Sequence, residues 1–110
     1  MKFEVFQSNK DKKYYFRLKN NKGDVVMNGQ GYSTKRTCMN GIESVRKNSQ
    51  VAERFDAQAT KNGKNYFNLV ARNGQVVATS AKWDVKRTCS SNMTSIKKQA
   101  LVAKVEVVAK

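Results

Sequence analysis

The sequence predicts an α+β protein in which two tandem βββαβ-type repeats form one antiparallel sheet, with two helices packed on one face. Three observations predict this fold class: an internal repeat, short alternating strands bounded by glycine turns, and a change to helical periodicity late in each copy. The composition agrees with a folded chain, since 39% of the 110 residues are hydrophobic and 9% are aromatic. A chain of this length is expected to form one domain.

The repeat is visible when the sequence is compared with itself at an offset of 51 residues. Tyr15-Phe16-Arg17-Leu18 then lies over Tyr66-Phe67-Asn68-Leu69, and Lys35-Arg36-Thr37-Cys38 lies over Lys86-Arg87-Thr88-Cys89. Matches at so many separate positions indicate a tandem duplication. We therefore predict a single domain made of two repeats, about residues 1–50 and 51–110.

Alternation of apolar and polar residues predicts the strands. In each copy a glycine turn typical of hairpins separates an aromatic strand from a Val-Val strand. The last strand is predicted over Leu101–Val108, which is Val-rich and alternating. The strand around Phe55 is expected to end the first repeat and to begin the second. The other predicted strands are Lys2–Gln7, Lys13–Lys19 and Val25-Val26 in the first copy, and Arg54–Gln58, Lys64–Arg72 and Val76-Val77 in the second.

The period changes to about 3.6 residues after the third strand of each copy. Cys38, Ile42 and Val45 share one helical face, and the second copy repeats this spacing. We predict helices from about Thr34 to Lys47 and from about Val85 to Gln99. Ser33 and Asp84 are the predicted N-caps, since their side chains can accept hydrogen bonds from the first backbone amides.

Two pairs of repeat-related residues are predicted to be structural. Cys38 and Cys89 lie on apolar helix faces, where a free Cys acts as a small hydrophobic side chain rather than as a redox group. Tyr32 and Trp83 are expected to pack over the sheet edge where each helix begins.

The sequences of one helix and of two turns resemble those of a known family. They are Gly41-Ile42-Glu43-Ser44-Val45-Arg46-Lys47-Asn48, Asn62-Gly63-Lys64-Asn65-Tyr66-Phe67-Asn68-Leu69 and Asn73-Gly74-Gln75-Val76-Val77. These segments look like the signature of the YegP-like family of small, mostly bacterial proteins. The resemblance implies strand-strand-strand-helix-strand units that share one antiparallel sheet, with helices on one face and exchanged final strands. It implies no established activity, because the family is known chiefly as a domain of unknown function, and it carries over no catalytic residues.

Residue counts exclude several kinds of active site. The chain has no His, which removes Ser-His and Cys-His nucleophiles and zinc sites that need imidazole. Two Cys residues alone cannot form a structural metal site, and there is no glycine-rich phosphate loop. We therefore predict a protein that is not an enzyme and that uses no cofactor or metal. Its apolar stretches are too short for a membrane span, so a cytoplasmic location without membrane contact is expected.

The charge points to an anionic partner. Lys and Arg number 22 against 8 acidic residues, which gives a net charge of +14. Strand alternation turns Phe16 and Leu18 toward the core and interleaves aromatic and basic side chains on the opposite face. Such a face can hold RNA or single-stranded DNA, because bases stack on rings and phosphates meet cations. The predicted contacts are Lys13, Tyr15, Arg17, Lys19, Lys64, Tyr66, Asn68 and Arg72. Phe6 and Arg54 are expected on the same face, with Glu4 and Asp56 as acidic exceptions.

A second basic group lies in the first turn of each predicted helix. It consists of Lys35, Arg36, Lys86 and Arg87. Backbone N–H groups at a helix start favour an anion, so these residues form a candidate phosphate site in each repeat. The alternative is that the four side chains only point into water.

Two other interpretations of the charged face stay open. In one, the sheet face or an open strand edge binds another protein or a second copy of the chain. In the other, the charge serves only solubility. Salt discriminates between the first of these and nucleic-acid binding, because phosphate contacts weaken steeply as salt rises and an apolar interface does not.

Overall fold

The protein, described here as a computed structural model covering residues 1–108, has the predicted order of three strands and a helix, used twice, followed by one more strand. Short 3₁₀ turns, Ala52–Arg54 and Ala100–Val102, follow the two helices. The strands and helices are β1 (Lys2–Gln7), β2 (Tyr14–Lys19), β3 (Val25–Gly29), α1 (Lys35–Asn48), β4 (Phe55–Ala59), β5 (Asn65–Val70), β6 (Val76–Ser80), α2 (Lys86–Gln99) and β7 (Lys104–Val107).

The strands form one seven-stranded sheet in the order β4-β5-β6-β3-β2-β1-β7. The repeats join at its centre, where β3 and β6 run antiparallel with Asn28 opposite Thr79. The predicted α+β class with two repeats is confirmed, but the sheet is mixed rather than wholly antiparallel. β7 runs parallel to β1, with Phe3 opposite Val105. The reason lies in the strand directions: three successive antiparallel pairings make β6 run opposite to β1, and the chain returns from α2 in the direction opposite to β6, which is that of β1.

The core lies between the helices and one face of the sheet. Phe16 and Leu18 from β2 and their counterparts Phe67 and Leu69 from β5 are at most 1% exposed. Ring stacking continues this core toward the helix starts, where the Tyr32 ring lies 6.3 Å from Phe16. Trp83 stacks on Phe67 at the same distance. The predicted packing of Tyr32 and Trp83 at the helix entrances is therefore confirmed.

Both cysteines are free and buried, as predicted from their helical spacing. Cys38 is fully buried and Cys89 is 3% exposed. Burial raises the pKa of the Cys38 thiol to about 11, because the thiolate would lose its hydration. Burial raises the pKa of Cys89 as well. Both side chains therefore remain thiols at neutral pH.

The predicted N-caps were wrong by one residue. α1 begins after Thr34, whose Oγ1 accepts a hydrogen bond from the Thr37 N–H at 3.1 Å. α2 begins after Val85, which gives no side-chain cap. Asp84 is unavailable as a cap because its carboxylate forms an ion pair with Lys64.

Gly41 explains a difference between the two helices. A Cβ atom at Gly41 would lie 2.3 Å from the Tyr32 hydroxyl oxygen, so only glycine lets α1 approach this ring. The equivalent residue of α2 is Asn92, whose Nδ2 donates to the Thr88 carbonyl oxygen at 2.9 Å. The close packing of a helix on the sheet is therefore built differently in the second repeat.

Several predicted strand boundaries also change. The last strand begins at Lys104 rather than near Leu101, because the chain first forms the 3₁₀ turn Ala100–Val102. β4 follows α1 in the chain and pairs with β5 as the first strand of the second repeat, as expected for a shared strand. Arg54 lies in a 3₁₀ turn and donates a hydrogen bond to Asn48, so it turns toward α1 and not toward the uncovered face.

Within residues 1–108, no helix combines the length and apolar character that a membrane span requires.

Candidate nucleic-acid interface

The face of the sheet opposite the helices, called here the open face, is built by alternation. Glu4 and Phe6 of β1 and Tyr15 and Arg17 of β2 point away from the core, because their neighbours in sequence point into it. The register places Glu4 opposite Arg17 and Phe6 opposite Tyr15. Each cross-strand pair therefore combines groups that attract each other.

An aromatic–basic cluster of Phe6, Tyr15 and Arg17 lies on the first-repeat half of this face. The Phe6 and Tyr15 rings are stacked with centroids 6.0 Å apart and an interplanar angle of 21°. The Arg17 guanidinium carbon lies 4.7 Å from the centroid of the Phe6 ring, in cation–π geometry. The cluster offers apolar ring surface next to a positive charge, which suits stacking of a base beside its phosphate.

Asp11 fixes the orientation of the Tyr15 ring. The Tyr15 hydroxyl donates a hydrogen bond of 2.6 Å to Asp11 Oδ2. This bond raises the pKa of Tyr15 and lowers the pKa of Asp11, because it favours the phenol and the carboxylate together. The Lys13 N–H donates to the other oxygen of Asp11 at 3.0 Å. Asp11 therefore links the turn before β2 to the cluster. Lys13, at the end of this turn, is exposed.

Glu4 neutralises part of the charge on this half of the face. Its side chain is 7% exposed and forms ion pairs with Arg17 Nε at 2.8 Å, Lys19 Nζ at 3.2 Å and Lys2 Nζ at 3.6 Å. Burial alone would raise the pKa of Glu4, but the hydrogen bonds and charges of Arg17 and Lys19 outweigh it, so the pKa is lowered. Arg17 and Lys19 lie where the alternation predicts, yet a carboxylate already contacts both.

The second-repeat half of the open face is less basic. Asn68 replaces Arg17 at the equivalent position and accepts a hydrogen bond from Thr79 Oγ1 at 2.8 Å. Lys64 is paired with Asp84. The Lys82 Nζ atom lies 5.4 Å from the centroid of the Tyr66 ring, which gives this half one cation–aromatic contact. The two halves therefore share a tyrosine but differ in the charge around it.

Arg72 is not on the open face. β5 ends at Val70, and the chain then turns, with the Gly74 N–H donating to the Ala71 carbonyl oxygen at 2.9 Å. Strand alternation does not continue into a turn. Arg72 lies in the turn that follows and lines a hollow with Lys47 and Arg54 at the end of α1. The predicted set of contacts is thus divided between two surfaces.

Lys82 is the functional candidate that the sequence argument missed. It lies in the loop between β6 and α2, where neither strand nor helix periodicity applies. The one feature of the sequence that could have indicated Lys82 is its position next to Trp83, which anchors that loop to the core. Phe6 was expected on the open face, and the structure places it there against Tyr15.

The basic residues at the helix starts are all exposed, and no acidic residue lies in the first turn of either helix. They are Lys35, Arg36, Lys86 and Arg87. Their role in binding a phosphate stays a prediction. Within residues 1–108, no cluster of three or more His, Cys, Asp or Glu residues has a geometry that could hold a metal ion.

The sequence matches a known family model twice, over residues 9–56 and 60–106, and that model is described as a domain of unknown function, DUF1508. A UPF0339 protein encoded in the ptx operon 5′ region of Stutzerimonas stutzeri is 38% identical over 103 residues, which covers 94% of this chain and 92% of that protein. The UPF0339 protein YegP of Escherichia coli strain K12 is 34% identical over 95 residues, or 86% of each chain.

Solved structures agree with these matches. The solution NMR structure of Escherichia coli YegP, a protein of unknown function, superposes with a TM-score of 0.89 at 30% identity and covers 98% of this chain and 92% of that one. The NMR structure of a UPF0339 protein from Shewanella oneidensis gives 0.90 at 30% identity, with 98% and 91% covered. These relatives bring no assigned role. The chain belongs to the DUF1508 family, which includes YegP-like proteins, and it carries two copies of the domain.

Proposed function

We propose that this protein is a non-catalytic module that binds RNA or single-stranded DNA with little sequence preference. The observation that carries the proposal is the aromatic–basic cluster, in which two stacked rings and a guanidinium lie together on the open face. Base stacking on such a platform contributes about 1–3 kcal/mol per base. The net charge of +14 adds a general attraction for a polyanion.

The ion pairs of Glu4 determine which side chains contribute most to nucleic-acid binding. Glu4 forms ion pairs with Arg17 and Lys19, which fix both side chains and neutralise part of their charge. A bound nucleic acid therefore meets only the rest of that charge. Stacking on Tyr15 and contacts from exposed lysines such as Lys13 and Lys82 then contribute most of the binding. Lysine attracts phosphates as a point charge and does not read base edges in the bidentate manner of arginine, so weak sequence preference follows.

The test is fluorescence anisotropy with labelled single-stranded RNA and DNA, titrated at low and moderate salt. Tyr15→Ala should weaken binding about tenfold through the loss of one stacked base. Tyr15→Phe is the matched control, because it keeps the ring and removes only the hydroxyl bond to Asp11. Binding should fall linearly with salt on logarithmic axes. No saturable binding at low salt, or equal affinities for the two Tyr15 variants, would contradict the proposal.

A second candidate function is a protein-interaction module, favoured by a different observation. The outer edge of β4 pairs with no strand among the described residues, while the equivalent edge of β1 is covered by β7. Open strand edges are common sites for the addition of a strand from another chain. Binding that persists at high salt would support this candidate over nucleic-acid binding.

A further inference from the structure

The two outer edges of the sheet are equivalent in the repeat but not in their surroundings. Phe3 and Phe55 correspond, since they lie opposite Leu18 and Leu69, and by the same register Val5 corresponds to Ala57. β7 covers the first edge, whereas nothing within residues 1–108 covers the second. The duplication therefore provides two places for a final strand, and the chain fills one of them.

The backbone of β4 is ready to accept a strand. The Thr60 N–H donates to the Lys64 carbonyl oxygen at 2.9 Å, so Thr60 turns its polar backbone groups toward β5. Antiparallel pairing alternates between inward and outward residues, and the N–H and C=O groups of Ala57 and Ala59 therefore point outward. Edge strands are usually protected by Pro, a bulge or charged side chains, and β4, which reads Phe-Asp-Ala-Gln-Ala, has only the charge of Asp56, on the open face.

A groove of about 290 Å³ adjoins this edge between β4 and α2, and it is called here the β4 groove. Its apolar lining comes from Ala57, Ala59, Cys89 and Met93. Lys86 adds a positive charge at the start of α2. The residue equivalent to Met93 in the first repeat is Ile42, which is fully buried. The β4 groove is thus the uncovered counterpart of a region that belongs to the core in the other repeat.

The first repeat shows what kind of segment fills such a place. Ala100 and Ala103 are buried and Val105 is half-buried against the core. The Val108 N–H donates to the Val5 carbonyl oxygen at 2.8 Å, which continues the parallel pairing. Arg46 Nη2 donates to the Ala103 carbonyl oxygen at 2.5 Å and fixes the entering chain. The filling segment is therefore extended, with small or branched apolar side chains at alternate positions.

The charge decides which occupant is favoured. A second copy of this chain would bring another +14, so two copies repel each other. The β4 groove carries Lys86, and Lys97, the counterpart of Arg46, is exposed. An acidic partner is attracted by both lysines and by the charge of the whole molecule, while Asp56 requires that no acidic residue of the added segment lie directly opposite it.

We propose that the β4 edge and the β4 groove bind an extended segment of an acidic partner protein, added to the sheet as a strand parallel to β4. Main-chain hydrogen bonds to Ala57 and Ala59 hold the segment, and alternate apolar side chains enter the groove beside Cys89 and Met93. This proposal rests on the second candidate function and concerns a surface separate from the aromatic–basic cluster.

The experiment uses the full chain and a labelled peptide with the sequence Ala-Leu-Val-Ala-Glu-Val-Gln-Val-Val. This probe is the segment from Ala100 to Val108 with glutamate in place of Lys104 and glutamine in place of Glu106, the residue that would lie opposite Asp56. Ala57→Pro removes an outward N–H without touching the pairing with β5, and Pro is tolerated on edge strands. Ala57→Val is the matched control, because valine stands at the equivalent position of β1. The expected result is saturable binding that Ala57→Pro weakens at least tenfold and Ala57→Val retains.

A second measurement does not depend on the folding of the proline variant. In the Cys38→Ser variant Cys89 is the only thiol, and it lines the β4 groove. Bound peptide should slow alkylation of Cys89 several-fold, while a scrambled peptide of the same composition should not.

Three outcomes would overturn the proposal. Saturable binding that Ala57→Pro does not weaken and that leaves Cys89 unprotected would reject the β4 groove as the binding site. That outcome would be consistent with protein binding through another surface. Absence of any saturable peptide binding would reject the β4 edge and the β4 groove as an acceptor for an added strand. If the chain without peptide is a dimer and Ala57→Pro converts it to a monomer, the occupant of the β4 groove is a second copy and not an acidic partner.

Discussion

Phe3 and Phe55 stand at equivalent positions in the two repeats, opposite Leu18 and Leu69, yet Phe3 is fully buried and Phe55 is only half-buried. The difference comes from the segment that follows α2. Its 3₁₀ turn and β7 cover the edge of the first repeat. The strand that follows α1 is β4, which the second repeat uses as its own first strand. A tandem duplication that shares one strand in this way can close only one of its two edges.

The largest expected effect separates the two repeats by stability. Phe3→Ala should lower the free energy of unfolding by about 3–5 kcal/mol, because it removes a fully buried ring from the core. Phe55→Ala should cost about 1–2 kcal/mol, since that ring is partly hydrated already. Urea unfolding followed by circular dichroism measures both values. Equal losses would mean that the second edge is covered in solution.

A smaller effect tests the packing of the two helices. Gly41→Ala should destabilise the protein by about 1–3 kcal/mol, because the new methyl group would overlap the Tyr32 hydroxyl. Asn92→Ala, at the equivalent position of α2, should change stability by less than about 0.5 kcal/mol. Thermal unfolding of the two variants gives the comparison. A neutral Gly41→Ala would show that Tyr32 can move away from α1.

The third prediction concerns the buried acid of the open face. The pKa of Glu4 is lowered in the folded protein, so its ion pairs stabilise the fold above its ordinary pKa of 4.5. That contribution is lost as the pH falls from 4.5 through the lowered value. Glu4→Gln should flatten this part of the stability profile and cost about 1 kcal/mol at neutral pH.

Asp56→Asn is the matched control for Glu4, because Asp56 holds the equivalent position in β4 and is exposed. Its acid profile should follow that of the unmodified protein. Urea unfolding between pH 2.5 and pH 7 provides the data. An unchanged acid profile in Glu4→Gln would show that the three cations around Glu4 contribute no net stability.

The smallest effect compares the two thiols. Burial raises the pKa of the Cys38 thiol to about 11 and leaves the side chain 0% exposed, so Cys38 should react slowly at pH 8. Cys89 lines the β4 groove and should react with iodoacetamide several-fold faster. Mass spectrometry of Cys38→Ser and Cys89→Ser measures each rate separately. Equal rates would mean that the β4 groove is closed in solution.

Periodicity predicted the elements well and their ends less well. β1 was predicted as Lys2–Gln7 and is found there, because six residues alternate without interruption. The start of each helix was misplaced by one residue, since Ser33 and Thr34 are adjacent and both can cap. The ion pair of Asp84 with Lys64 is a tertiary contact, and it removed the other predicted cap.

The candidate site was predictable only where the strands stay regular. Tyr15, Arg17 and Lys19 lie on the open face because they alternate with buried residues of β2. Arg72 does not, because β5 ends at Val70 and Arg72 lies in the turn that follows. Neither the triple ion pair of Glu4 nor the approach of Lys82 to Tyr66 follows from spacing in one strand.

The sequence by itself determined the duplication, the order of strands and helices, the buried faces and the strong positive charge. These properties are local or additive, so they can be read from periodicity and residue counts. Only the tertiary structure decided which edge β7 covers, that it runs parallel to β1, and that no strand within residues 1–108 pairs with the outer edge of β4. It also decided that Glu4 meets Arg17 and Lys19. Such pairings join residues far apart in the chain, and their choice depends on how the whole sheet can bury its apolar faces.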